Sequence, residues 1–156
     1  MELIIIPNGN GKYTVTDPKD RKIYSVTKKK RFIGNPITTL RDASGYVLYT
    51  MVRIESGRKP TFHIEFNDTL FMKVRCTSMF VDPCIEFDGN EASYELKGHT
   101  HSKMTLKKDD ETIGTLIIET QANGEPKYVL TVENKYFDDV IPLFAVTVDK
   151  CFGVAN

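Results

Sequence analysis

The sequence predicts a mostly β fold, a closed antiparallel barrel of about twelve strands around one central hydrophobic C-terminal α-helix. Three observations lead there. Apolar and polar residues alternate with period two through most of the chain. Turn-forming residues recur at short intervals between the alternating runs. The last segment, DDVIPLFAVTVDKCFG (Asp138 to Gly153), has no polar face. Period-two strands are half-buried, as in an antiparallel sheet with one wet side. A helix that is apolar all round has to be surrounded, and a sheet closed into a barrel has an apolar lumen to fill.

Taken in order, the strands are expected to begin near residues 1, 12, 22, 37, 46, 61, 69, 84, 91, 102, 112 and 127. The alternation is plainest in the middle of the chain. In TFHIEF, Phe62, Ile64 and Phe66 face inward while Thr61, His63 and Glu65 face out. In LFMKVRC, Leu70, Met72 and Val74 oppose Lys73 and Arg75. In ASYELKG, Ala92, Tyr94 and Leu96 point in, with Ser93, Glu95 and Lys97 outside. Between them stand hairpin signals: Asn8-Gly9-Asn10-Gly11, Asp42 to Gly45, Asn67-Asp68, Asp88-Gly89-Asn90, Asp109-Asp110 and Asn123-Gly124. One hairpin pattern recurs, in TDPKDRKIYSV and LRDASGYVLYTM.

The final segment reads as the central helix, over 138–152. Asp138 and Asp139 are placed to cap its start and complement its positive end. Pro142 falls in the first turn, where a missing N–H costs nothing, whereas inside a sheet it would break a ladder. Lys150 suits the last turn and Gly153 the C′ position.

At 156 residues the chain is expected to form a single domain, 1–156. Lys and Arg number 21, as do Asp and Glu, so the formal net charge is zero. A duplex-binding protein needs basic excess to neutralise phosphates, so nucleic acid is not an expected partner. Cys76, Cys84 and Cys151 are odd in number and form no CxxC, which leaves buried thiols in a reducing compartment as the reading. The apolar run before Pro7 is shorter than a signal h-region, and the C-terminal run is shorter than a bilayer span. The expected localisation is cytoplasmic, with peripheral membrane association as the further expectation.

The quoted hairpins YTVTDPKDRKIYSV (Tyr13 to Val26), LRDASGYVLYTM (Leu40 to Met51) and TFHIEFNDTLFMKVR, with the ending DDVIPLFAVTVDKCFG, resemble the tubby C-terminal-like superfamily. Within it the likeness is to the LURP-one-related (bacterial YxjI-like) proteins, with phospholipid scramblases as more distant relatives. The resemblance covers nearly the whole chain and lies in the order and spacing of strands plus the final helix. It implies a twelve-stranded barrel threaded by a hydrophobic helix. Tubby domains bind phosphoinositides, and the resemblance implies no more than that kind of activity. The chain departs from the family in having Asp20 before Arg21 where Gly is common. It also lacks the cysteine cluster and Pro-rich arm of scramblases.

Lys28-Lys29-Lys30-Arg31-Phe32 is the concentrated charge run of the sequence. Its functional reading is a contact with anionic phosphates, with Phe32 and Ile33 dipping into an interface. The alternative is a solvated loop or a lysine-guarded strand end. Lys97, Lys107 and Lys108 would extend the patch only if the barrel brought them close. His99 and His101 sit on one strand face beside Lys97 and Lys103, where the lysines argue against a cation, so they read as polar outer face and no metal is expected. GxSxG, HExxH, P-loop and GxGxxG patterns are absent. Asp109-Asp110-Glu111 reads as a turn.

The expectation is therefore a non-catalytic binding module without a cofactor, its partner an anionic membrane lipid. A protein-interaction scaffold is the alternative, and an enzyme of unrecognised chemistry ranks third.

Overall fold

The computed structural model describes residues 1–54 and 58–153. Its strands are β1 (Glu2–Gly9), β2 (Lys12–Thr16), β3 (Lys22–Lys29), β4 (Ile37–Asp42), β5 (Val47–Arg53) and β6 (Thr61–Phe66). They continue with β7 (Thr69–Ser78), β8 (Cys84–Gly89), β9 (Ser93–Thr100), β10 (Lys103–Lys108), β11 (Glu111–Thr120) and β12 (Pro126–Val132). A single 3-10 turn (Asn134–Tyr136) and one α-helix, α1 (Pro142–Phe152), follow. Every strand pairs antiparallel with its sequence neighbour, and β1 pairs with β12 through Leu3 opposite Leu130 and Ile5 opposite Tyr128. The sheet is a closed barrel without edges.

The recurring hairpin pattern has a single physical cause. Asp17 Oδ1 accepts the backbone amides of Lys19 and Arg21, each at 2.9 Å, and Asp42 Oδ1 accepts those of Ser44 and Tyr46 at 2.9 and 3.0 Å. Three residues after each aspartate the backbone turns left-handed, at Asp20 (φ +61°) and Gly45 (φ +91°). Asp20 thus stands at a position that suits glycine and that aspartate tolerates. Asn67-Asp68 and Asp109-Asp110 each place two successive residues at positive φ, the requirement of a type I′ hairpin.

The helix lies inside the barrel. Residues 140 to 148 are all buried. Tyr13 of β2 and Phe87 of β8, on opposite sides of the closed strand order, both touch it. The Tyr13 hydroxyl donates to Asp149 Oδ2 at 2.5 Å, and the Phe87 ring stacks on Phe144 at 3.9 Å between centroids. Met51 of β5 takes the Thr147 hydroxyl on its sulfur at 3.4 Å. Thr147 is fully buried inside the lumen, and it is satisfied by sharing its single hydroxyl proton with the Leu143 carbonyl one turn back, at 2.8 Å.

Several local expectations need correction. The helix starts at Pro142, and residues 138 to 141 form turns before it. Asp138 and Asp139 do not cap it. Its N-cap is Ile141, without a side-chain hydrogen bond, while Asp138 accepts the Val140 amide and Asp139 accepts the Tyr24 hydroxyl. Both aspartates are too far upstream, because Pro142 at N1 fixes where the helix begins. Gly153 ends the helix in extended backbone (φ −63°, ψ 149°) and not in the left-handed C′ conformation. Phe66 and Leu70 are 46% and 39% exposed, because a register shift after Ile64 releases this hairpin from the alternation.

Candidate functional site

Up-and-down connectivity sorts the connections onto two ends of the barrel. One end carries the connections after β1, β3, β5, β7, β9 and β11, together with the C-terminus of the helix. The other carries the remaining turns and the approach to the helix, where Asp17, Asp20, Asp109, Asp110, Asp138 and Asp139 lie.

The β3–β4 connection contains most of the charge run. Lys28 and Lys29 are the exposed last residues of β3, and Lys30, Arg31 and Phe32 begin the loop. Arg31 braces the loop from within: its Nε donates to the Asn35 carbonyl at 2.7 Å, and its guanidinium packs over Gly34, which turns at φ +94°. Asn35 Nδ2 ties the loop to β5 by donating to the Arg53 carbonyl at 2.6 Å. The tip, Phe32 and Ile33, is left bare, at 103% and 81% exposure.

A second apolar tip, absent from the sequence reading, stands at the same end. Phe80 and Val81, between β7 and β8, are 84% and 78% exposed. Their loop is held by groups on both sides. The Ser78 hydroxyl donates to the Val81 carbonyl, His99 Nδ1 lies 2.9 Å from Asp82 Oδ1, and His101 Nε2 lies 2.7 Å from the Met79 carbonyl. Both ring nitrogens must carry protons to donate there. The two histidines were expected side by side on a strand face; His101 is instead in the β9–β10 turn, and its ring also meets Phe152 of the helix at 4.9 Å. Among the described residues, no group of three His, Cys, Asp or Glu side chains is arranged to hold a metal ion.

Beside the first tip lies a cavity of about 220 Å³, faced by Lys28, Arg53 and Lys150. Asn35, the buried Thr38, Met51 and Phe62 complete most of its lining. Lys150 reaches it from the last helical turn, where a cation complements the negative end of the helix. Burial, and then the neighbouring charge of Lys28, holds the Lys150 ammonium below the ordinary lysine range, with Asp149 opposing. That carboxylate is engaged elsewhere: Tyr13 and Tyr128 donate to its two oxygens, each at 2.5 Å. Among the described residues, Lys150 has no hydrogen-bond or ion-pair partner.

The other lysines do not join this cluster. Lys97, Lys103 and Lys107 line an open groove of about 610 Å³ on the wall of β9 and β10, and β9 is on the far side of the closed strand order from β3. Lys108, at the opposite end of β10, has its ammonium 5.8 Å from the Tyr94 ring centre. Arg53 and Lys150 were missed because isolated basic residues at a strand end and a helix end give no local signal. No helix among the described residues is long and apolar enough to cross a membrane.

Compared with known families, residues 5–149 match the model of the family described as LURP-one-related. No curated protein and no solved structure matches the chain.

Proposed function

The chain belongs to the LURP-one-related family, and from that premise we propose that it is a non-catalytic module that docks its helix-C-terminal end onto an anionic membrane surface. The observation that carries the reading is the co-location of two bare apolar tips, Phe32-Ile33 and Phe80-Val81, with Lys28, Lys29, Lys30, Arg53 and Lys150 at one end. An interfacial anchor combines apolar side chains that reach the acyl boundary with cations that meet the headgroups. The tips supply the first and the rim supplies the second. The acidic residues gathered at the opposite end favour the same orientation, since they are kept farthest from the negative surface.

Co-sedimentation with vesicles tests this. The parent is expected to bind phosphatidylcholine vesicles that contain phosphatidylserine, and to leave pure phosphatidylcholine vesicles unbound. Raised salt should release it. Replacing Lys29 and Lys30 by Ser should weaken binding by about 1 kcal/mol for each basic residue removed. Phe32→Ser with Phe80→Ser should weaken it further at unchanged charge. Equal binding to neutral and anionic vesicles, or none to either, contradicts the reading.

A further inference from the structure

The cavity beside the β3–β4 loop raises a question that surface docking does not answer. A lysine on the last turn of a buried helix ordinarily reaches out to water or pairs with a carboxylate. Lys150 does neither completely. It is half-buried and faces a cavity also faced by Lys28 and Arg53. The next-door carboxylate, Asp149, is turned toward Tyr13 and Tyr128. Among the described residues, no Asp or Glu lines the cavity. Lys150 loses hydration in its half-buried position and meets the like charge of the exposed Lys28, and an anion entering the cavity relieves both costs.

We propose that this cavity is a binding site for a phosphomonoester group, whose dianion is held by Lys28, Arg53 and Lys150 with the Thr38 hydroxyl as a further donor. The proposal rests on the docking reading for the lipid source of that group, though not for the site itself. A carboxylate or a phosphodiester brings one negative charge to a cluster of cations. A phosphomonoester brings close to two, with three oxygens to share among donors. The volume, about 220 Å³, is below that of pockets that enclose drug-sized ligands, so it suits a headgroup-sized moiety and not an acyl chain or a folded peptide. Met51 and Phe62 give an apolar wall for the ester carbons. The cavity opens at the same end as the two apolar tips. A phosphate on a lipid headgroup and a phosphate on a soluble molecule therefore both reach it.

The test has a soluble arm and a vesicle arm. Glycerol 3-phosphate is titrated into the protein while backbone amide signals are followed by NMR, with glycerophosphocholine as the phosphodiester control. Shifts at Thr38 and Lys150 with the monoester alone are expected, and Lys150→Met should weaken that binding about tenfold or more, the loss of one charge-assisted hydrogen bond. Lys28→Met, at an exposed strand end, should weaken it as well, and it serves should Lys150→Met fail to fold. In the second arm, vesicles containing phosphatidic acid are compared with vesicles containing phosphatidylserine at matched surface charge. A preference for phosphatidic acid that Lys150→Met or Lys28→Met removes assigns the site to lipid. Lys150-dependent binding of glycerol 3-phosphate without that preference assigns it to a soluble phosphomonoester. The proposal is overturned if neither arm responds to these substitutions. Vesicle binding weakened in Lys29, Lys30 and Phe32 variants, with glycerol 3-phosphate binding and any preference for phosphatidic acid indifferent to Lys150 and Lys28, would leave the docking reading standing and remove this one.

Discussion

Phe144 of the helix stacks on Phe87 of β8 with ring centroids 3.9 Å apart and planes inclined by 26°. Tyr94 of β9 closes on the same ring at 5.0 Å. The contact joins helix α1 to the barrel wall at full burial, since neither Phe87 nor Phe144 exposes any surface. Aromatic pairs of this kind add to the stabilisation that burial alone provides.

Phe144→Ala should therefore lower stability by ~3–5 kcal/mol, a large share of the ~5–15 kcal/mol typical of a whole domain. Urea unfolding followed by circular dichroism measures it. Val146→Asp should be worse, because a charge at that position has no partner in the lumen. A loss of less than about 1 kcal/mol for Phe144→Ala would mean the lumen can collapse around the gap.

Tyr13 and Tyr128 share one acceptor, Asp149. Replacing either by Phe takes a donor from a partly buried carboxylate, and each should cost about 1.5–3 kcal/mol. Burial first, then the adjacent Asp149, holds both hydroxyls well above the ordinary tyrosine range. In the unfolded chain they ionise near pH 10. The stability linked to these protons is complete below about pH 10 and declines as pH rises toward the folded-state values. The double Phe variant should lose that alkaline sensitivity, as read from denaturation midpoints on either side of about pH 10. An unaltered alkaline profile would contradict it.

The Asp17 turn predicts the opposite pH dependence. Burial pushes this carboxyl up, but the Arg21 amide and guanidinium and the Lys19 amide together bring it below the usual aspartate range. A depressed carboxylate contributes stability above its unfolded value, about 3.9, and the contribution is lost as pH falls through the folded value. Asp17→Ala should be less stable than the parent at neutral pH, with the gap closing in acid. A gap of the same size at both ends of that range would assign the loss to packing alone.

Most of the fold was legible because its signals are local. Alternation and turn residues located the strands so well that no start is displaced by more than two residues. The recurrent aspartate hairpin was visible as a repeat before its carboxylate–amide bonds were known. Less was legible of the helix ends, where Pro142 and not the aspartates set the first turn. The candidate site was half visible. Lys28 to Phe32 stand out as a run, yet Arg53 and Lys150 lie far from it in sequence, and only barrel closure with the helix inside brings them to one cavity. Phe80 and Val81 looked like one more loop, because exposure is decided by which end of the barrel a connection occupies and by what ties it down.

The most direct test uses the absence of tryptophan from this chain. Single Trp residues introduced as Phe32→Trp, Phe80→Trp and Tyr46→Trp report on the two tips and on the opposite end, where Tyr46 is 74% exposed between β4 and β5. Vesicles of phosphatidylcholine with phosphatidylserine, carrying brominated acyl chains, quench a Trp that enters the acyl boundary. The account predicts a blue shift and quenching for Phe32→Trp and Phe80→Trp, and an unchanged spectrum for Tyr46→Trp. Quenching at Tyr46→Trp with the tips unaffected, or equal quenching at all three positions, would contradict it.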